Sequence, residues 1–158
     1  IIMCESMSSI FEGRNASGVA KEFSERVWLS WTNRGHQPDQ LPSTEALSKA
    51  VDFSIEADVE CTLINCSHAD MASNSIKELK RASRFGIFAN SSTFKEVDLS
   101  VATKDVDAIH HLNSEEISAK EYAMIALSWA KEGAFVIGGC CGTTVEHTRE
   151  IKLLMDSL

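Results

Sequence analysis

The chain has 158 residues, with 15 Lys+Arg against 23 Asp+Glu and a formal net charge of −8. That acidity excludes nucleic acid as the main partner and disfavours an anionic membrane surface, since both need clustered positive charge. An apolar share of 44% is ordinary for a single globular domain, and the sequence holds no apolar run of 18 residues that would span a bilayer.

Taken in chain order, the first apolar run is Ile1-Ile2-Met3-Cys4, which predicts a strand near 1–5. It starts with neither an initiator Met nor the basic segment of a signal peptide, as if the sequence begins inside a structural element. Val27-Trp28-Leu29-Ser30-Trp31 predicts a second strand near 27–32. Leu47, Ala50, Val51 and Ile55 then recur at helical spacing, with Ser43 or Thr44 as the expected cap. Cys61 to Cys66 predicts a strand at 61–66; Ile76, Leu79, Lys80 and Ala82 predict a short helix; Phe85 to Asn90 predicts a strand at 85–90. The polar stretch from Thr93 to Ser114 is expected as a long loop, with His110-His111 solvated. Tyr122, Ile125, Ala126 and Trp129 mark the strongest helix, Ser118 to Lys131, ended by Gly133. A fifth strand is expected at 134–139. Thr143 with Glu146 three residues on then reads as a capping box for a closing helix that runs to about Met155.

Continuously apolar strands alternating with helices indicate an α/β domain with a buried parallel sheet. A (β/α)8 barrel of ~250 residues uses roughly 31 per unit. On that measure the chain, 1–158, has the length of about five βα units of a TIM-barrel type domain. The rival is an open doubly wound sheet of five strands. No strand is followed by a Gly-x-Gly-x-x-Gly or Walker-type loop, so a nucleotide role has nothing behind it.

Chemistry concentrates in the cysteines: Cys4, Cys61, Cys66, Cys140 and Cys141. An odd count without a secretory signal reads as reduced thiols in a cytoplasmic chain. By the same reasoning, the Asn-x-Ser triplets at Asn15, Asn65 and Asn90 are background. Cys4 and Cys61 fall within strands and read as small buried hydrophobes. Cys66 and the Cys140-Cys141 pair fall at strand C-termini, the end at which parallel barrels carry their active sites. Three thiols converging there suit zinc, and three protein ligands leave a fourth position open for catalysis. Gly138, Gly139 and Gly142 would let the backbone turn both adjacent thiols toward one ion. Inert burial and a thiol redox site on Cys140-Cys141 remain the alternatives, although the pair lacks C-x-x-C spacing and is too strained for a mutual disulfide.

The run Val136-Ile-Gly-Gly-Cys-Cys-Gly-Thr-Thr-Val-Glu-His147 resembles the C-terminal signature of the homocysteine S-methyltransferase family, I-G-G-C-C-G-T-x-P-x-H. Ile64-Asn65-Cys66-Ser67 resembles its G-V-N-C segment, and Phe88-Ala89-Asn90-Ser91 its later strand end. Val27-Trp28-Leu29-Ser30 and Met3-Cys4-Glu5-Ser6 match upstream segments in order and spacing. The resemblance implies zinc held by Cys66, Cys140 and Cys141, with homocysteine sulfur as fourth ligand. It further implies a bound thiolate that takes a methyl group from an onium-type donor and yields methionine. Carried over by position, Glu5 would hold the homocysteine ammonium, Asn90 would bond substrate or brace a loop, and His147 matches the family histidine. His68, close to Cys66, is not used by the family pattern. The implied partners are homocysteine, a small methyl donor, and either an N-terminal barrel segment or another subunit to complete the barrel. Three departures stand out: Leu63-Ile64 for Gly-Val, Val145 for the signature proline, and the absence of the early strands with their D-G-G segment. The alternative they raise is an incomplete zinc-binding fragment.

Overall fold

A computed structural model describes residues 1–35, 37–94 and 114–157. The strands are β1 (Ile2–Met7), β2 (Val27–Trp31), β3 (Cys61–His68), β4 (Phe85–Asn90), β5 (Ser92–Phe94), β6 (Ser114–Glu116) and β7 (Val136–Gly139). Five of them form one sheet in the order β1-β2-β3-β4-β7, every pair parallel; β5 and β6 make a separate antiparallel pair. The order follows the chain without reversing. A doubly wound sheet reverses at its switch point, and among the described residues no such reversal occurs. The fifth strand begins at Val136, two residues later than the apolar run predicts. The expected long loop and His110-His111 lie outside the described residues.

The helices are α1 (Ile10–Phe23), α2 (Leu47–Glu56), α3 (Ala69–Asn74), α4 (Ile76–Leu79), α5 (Ala119–Lys131) and α6 (Val145–Met155). Side chains alternate across a strand, so one sheet face carries Val27, Leu29, Trp31, Ile64, Ile87 and Ala89. These pack with Leu47, Ala50, Val51, Leu79, Tyr122 and Trp129 from the helices, all buried. Each such large apolar side chain contributes about 1.5–3 kcal/mol by leaving water. Trp31 is the centrepiece. It meets Phe53 edge-on at 6.3 Å, and its indole N–H donates to Ser54 Oγ at 3.0 Å. The α1 helix, absent from the hydrophobic pattern, approaches through Gly13, where any Cβ would enter the Trp31 ring.

Helix ends differ from expectation in instructive ways. The α2 helix is not capped by Ser43 or Thr44: Thr44 sits at φ +74°, the cap position is Ala46, and the Leu47 N–H donates to the Asp39 carbonyl at 2.8 Å. The α5 start is a capping box on Ser118 and Glu121. Gly133, at φ +95°, lies one residue past the Glu132 cap, and the Ala134 N–H returns to the Trp129 carbonyl. The α6 cap is Thr144, not Thr143, and its partner is His147 rather than Glu146.

At the amino ends of the strands, charge closes the sheet. The Glu60 carboxylate accepts from Arg26 Nε at 2.9 Å, Arg26 Nη2 at 3.0 Å and Arg84 Nη1 at 3.0 Å. The Arg26 hydrogen bonds hold the Glu60 carboxyl below the ordinary carboxylate range. Arg84 lies over the Phe135 ring at 4.7 Å, and Phe135 meets Trp28 edge-on at 6.3 Å.

Candidate metal centre

At the opposite, carboxyl end the strands are irregular. The β3–β4 register shifts between Asn65 and His68, and the β1–β2 register shifts between Cys4 and Met7. Inside these bulges Cys66 sits at φ +52° and Ser6 at φ +59°, left-handed conformations that cost a residue with a Cβ about 1–2 kcal/mol. Asn65, almost fully buried, offsets that cost. Its Oδ1 accepts from the Ser6 N–H at 3.1 Å and the Ser30 hydroxyl at 2.6 Å, and its Nδ2 donates to Ser6 Oγ at 2.7 Å. One side-chain amide thereby ties together β1, β2 and β3 directly beside Cys66. Ser67 continues the network: its hydroxyl donates to the Asn65 carbonyl at 3.1 Å and accepts the Asn33 N–H at 2.9 Å. The sequence signal for these groups is a polar residue interrupting an apolar run, Ser30 in β2 and Asn65 in β3.

The second half of the site follows β7. The Cys140 N–H donates to the Ala89 carbonyl at 2.8 Å, and the Ser91 N–H donates to the Cys141 carbonyl at 2.9 Å. The Cys141 N–H donates to Asn90 Oδ1 at 3.1 Å, so Asn90 braces the loop that carries two thiols. Thr143 Oγ1 closes the turn onto the Cys140 carbonyl at 2.7 Å. Of the three glycines, Gly142 alone takes a positive φ, +76°. Gly138 and Gly139 are needed for space: a Cβ would strike the Phe88 ring at the first and Thr143 at the second. From α5, the fully buried Tyr122 places its hydroxyl 2.8 Å from the Ala89 carbonyl and 2.9 Å from that of Gly138. Burial pushes this phenol above its ordinary pKa, so it stays a donor. His147 accepts the Thr144 N–H on Nδ1 at 3.2 Å and meets the Tyr122 ring edge-on at 5.6 Å. Among the described residues, His147 Nε2 is buried without a hydrogen-bond partner.

These supports bring three sulfurs together. Cys66 Sγ lies 3.2 Å from Cys140 Sγ and 3.8 Å from Cys141 Sγ, and the two adjacent sulfurs are 4.0 Å apart. A disulfide needs about 2.05 Å, so all three are free thiols. A tetrahedral zinc with bonds of about 2.3 Å sets its sulfurs about 3.8 Å apart, close to the observed triangle. The donor set and its spacing therefore fit zinc. Among the described residues this is the group of cysteine, histidine and carboxylate side chains whose ligand atoms can surround one ion, all within 4.8 Å. Cys4 and Cys61 are buried within their strands, away from it. Burial, and then the neighbouring thiols, push Cys66 up to about 12.

A cavity of about 550 Å³ opens onto Cys66 and Cys141, walled by Thr32, Asn33, His68 and Asn90 among others. His68 Nδ1 is engaged with Ser92 Oγ at 2.9 Å. Glu5 is exposed on β1 and does not line this cavity.

Comparison with known proteins places this geometry in a family. A family model described as homocysteine S-methyltransferase matches residues 1–155. The homocysteine S-methyltransferase YbgG of Bacillus subtilis is 26% identical over 161 residues, covering all of this chain and 47% of that protein. The chain thus spans about half the length of the curated relative it matches. Crystal structures of the homocysteine methyltransferase MmuM from Escherichia coli share the fold. The metallated form aligns with a TM-score of 0.69 and 19% identity over 98% of this chain and 44% of that one. The apo form gives a TM-score of 0.67 and 19% identity, over 97% and 49%.

Proposed function

The chain belongs to the homocysteine S-methyltransferase family, and on that premise we propose that it provides the zinc-thiolate part of an enzyme that methylates homocysteine to methionine. The observation carrying this is the convergence of Cys66, Cys140 and Cys141 on one point at the carboxyl ends of a parallel sheet. Zinc bound by these three thiolates would supply the Lewis acidity that turns the homocysteine thiol into a nucleophile at neutral pH. The chain's own residues hold that point in place. Asn65 fixes the Cys66 bulge, Asn90 fixes the Cys141 amide, and Thr143 fixes the Cys140 carbonyl. The adjoining cavity, open to solvent-borne substrates, gives homocysteine and a small onium-type donor access to the thiols. The family resemblance alone assigns Glu5 to the homocysteine ammonium, since this exposed carboxylate on β1 lies outside the cavity.

The domain is a (β/α)8-type barrel, of which residues 1–158 supply five strands near the carboxyl terminus. A protein of the cytoplasm suits its reduced thiols; among the described residues no helix is long and apolar enough to cross a membrane. A second version of this reading follows from the chain's spanning about half of its relative: the metal site is present, and turnover needs the remaining barrel strands from another segment or subunit. The test is methionine formation by the zinc-loaded protein from homocysteine with S-methylmethionine, S-adenosylmethionine or betaine. Turnover by this chain alone supports the first version. Turnover only after adding the N-terminal half of a relative such as YbgG supports the second. Stoichiometric zinc with no methionine under either condition overturns the assignment.

A further inference from the structure

We propose that Tyr122 is a positioning residue for the metal centre, holding the Cys140-Cys141 loop in its ligating shape through two backbone carbonyls. The inference rests on the zinc reading above and extends it to a residue on a different element, α5. Its hydroxyl sits between the Ala89 carbonyl on β4 and the Gly138 carbonyl on β7, at 2.8 and 2.9 Å, so one proton is shared across the strand pair. The Ala89 carbonyl is also the acceptor for the Cys140 N–H. The phenol therefore meets the ladder at the last bond before the ligand loop begins. The support reaches the loop through main-chain atoms of β4 and β7.

The position of the ring is itself over-determined. Tyr122 packs edge-on against Trp129 at 5.6 Å on one side and against His147 at 5.6 Å on the other. His147 is fixed in turn by the Thr144 amide at the start of α6. The loop bearing Cys140 and Cys141 is thus clamped between a phenol at its entry and a capped helix at its exit. Outer groups of this kind set ligand orientation, and their loss typically weakens metal binding 10–100-fold.

Tyr122→Phe keeps the ring and removes only the hydroxyl. In the full chain, zinc affinity measured by chelator competition is expected to fall about tenfold. The cobalt(II)-substituted protein should show a shifted d–d band, a signature that loss of stability alone does not move. Ser54→Ala serves as control, since it deletes a buried hydrogen bond between α2 and Trp31 that involves neither Tyr122 nor a thiol, and it should leave both readouts unchanged. Tyr122 is the chain's single tyrosine, so 3-fluorotyrosine incorporation labels it alone. Its 19F resonance should move on zinc addition even if the Phe variant fails to fold. Unchanged affinity in Tyr122→Phe, an equal loss in Ser54→Ala, or a 19F signal indifferent to zinc overturns the proposal. Wild-type protein that binds no zinc overturns the reading beneath it instead.

Discussion

The two ends of the same five strands are built on different principles. At the amino ends the strands are regular and are joined by charge: Glu60 gathers Arg26 and Arg84, and Arg84 covers Phe135. At the carboxyl ends the registers slip, two residues adopt left-handed backbone, and the links are neutral hydrogen bonds between main-chain or hydroxyl groups and the side chains of Asn65, Asn90 and Tyr122. Exposed ion pairs tolerate a range of geometries and contribute little each. Buried neutral bonds are directional, and a single misplaced partner leaves an unsatisfied group in a medium that cannot solvate it. One end has only to stay closed. The other has to aim three sulfurs.

The sharpest way to break this contrast is to remove a thiol. Cys66→Ser should lower zinc affinity more than about 100-fold, measured by chelator competition, because a three-ligand site loses a third of its donors. Its metal-free melting temperature should stay near wild type, since serine preserves the size of a half-buried side chain. Next in size is Asn65→Ala. It strands the Ser6 amide and the Ser30 hydroxyl inside the bulge, and urea unfolding should show a loss of about 2–3 kcal/mol. Zinc affinity should fall with it, since Cys66 loses its adjacent brace. The smallest effect belongs to the amino end. Glu60 titrates below the ordinary carboxylate range in the folded protein, so its contribution is present above the unfolded-state pKa and is lost as pH falls through the folded one. Glu60→Gln should therefore flatten the decline of melting temperature with acidification below about pH 4.5 while leaving zinc affinity untouched. A Glu60 variant that weakens zinc as much as Asn65→Ala would erase the distinction between the two ends.

Much of this arrangement is legible in the residues alone, for physical reasons. Continuous apolar runs locate the five buried parallel strands, and the spacing of Cys66 and Cys140-Cys141 relative to strand ends brings the thiols to one edge. The α1 helix escapes because its buried residues are Gly13, Ser17 and Ala20, small side chains that leave no hydrophobic stripe to detect, with Gly13 set against the Trp31 ring. The cap of α6 slips by one residue because its acceptor is an imidazole, His147, where the usual box uses a carboxylate or amide. Asn65 shows in the sequence only as a polar break in an apolar run; its bracing role exists once β1, β2 and β3 lie side by side. Two of the three glycines in the signature likewise answer to neighbours, Phe88 and Thr143, that are distant or unremarkable in the sequence.

The strand order gives the thiols a further property. Cys66 belongs to β3 and Cys140 follows β7, and β4 lies between those strands, so the two sulfurs meet over a strand that belongs to neither. Whatever is gripped by both acts as a rivet through the sheet, closing a loop of 74 residues. Loop-closure entropy for a cross-link of that length is worth about 4 kcal/mol against the unfolded chain. The same three side chains that would ready a thiol for reaction are thereby placed where a bound ion would also lock strands that share no hydrogen bond with each other.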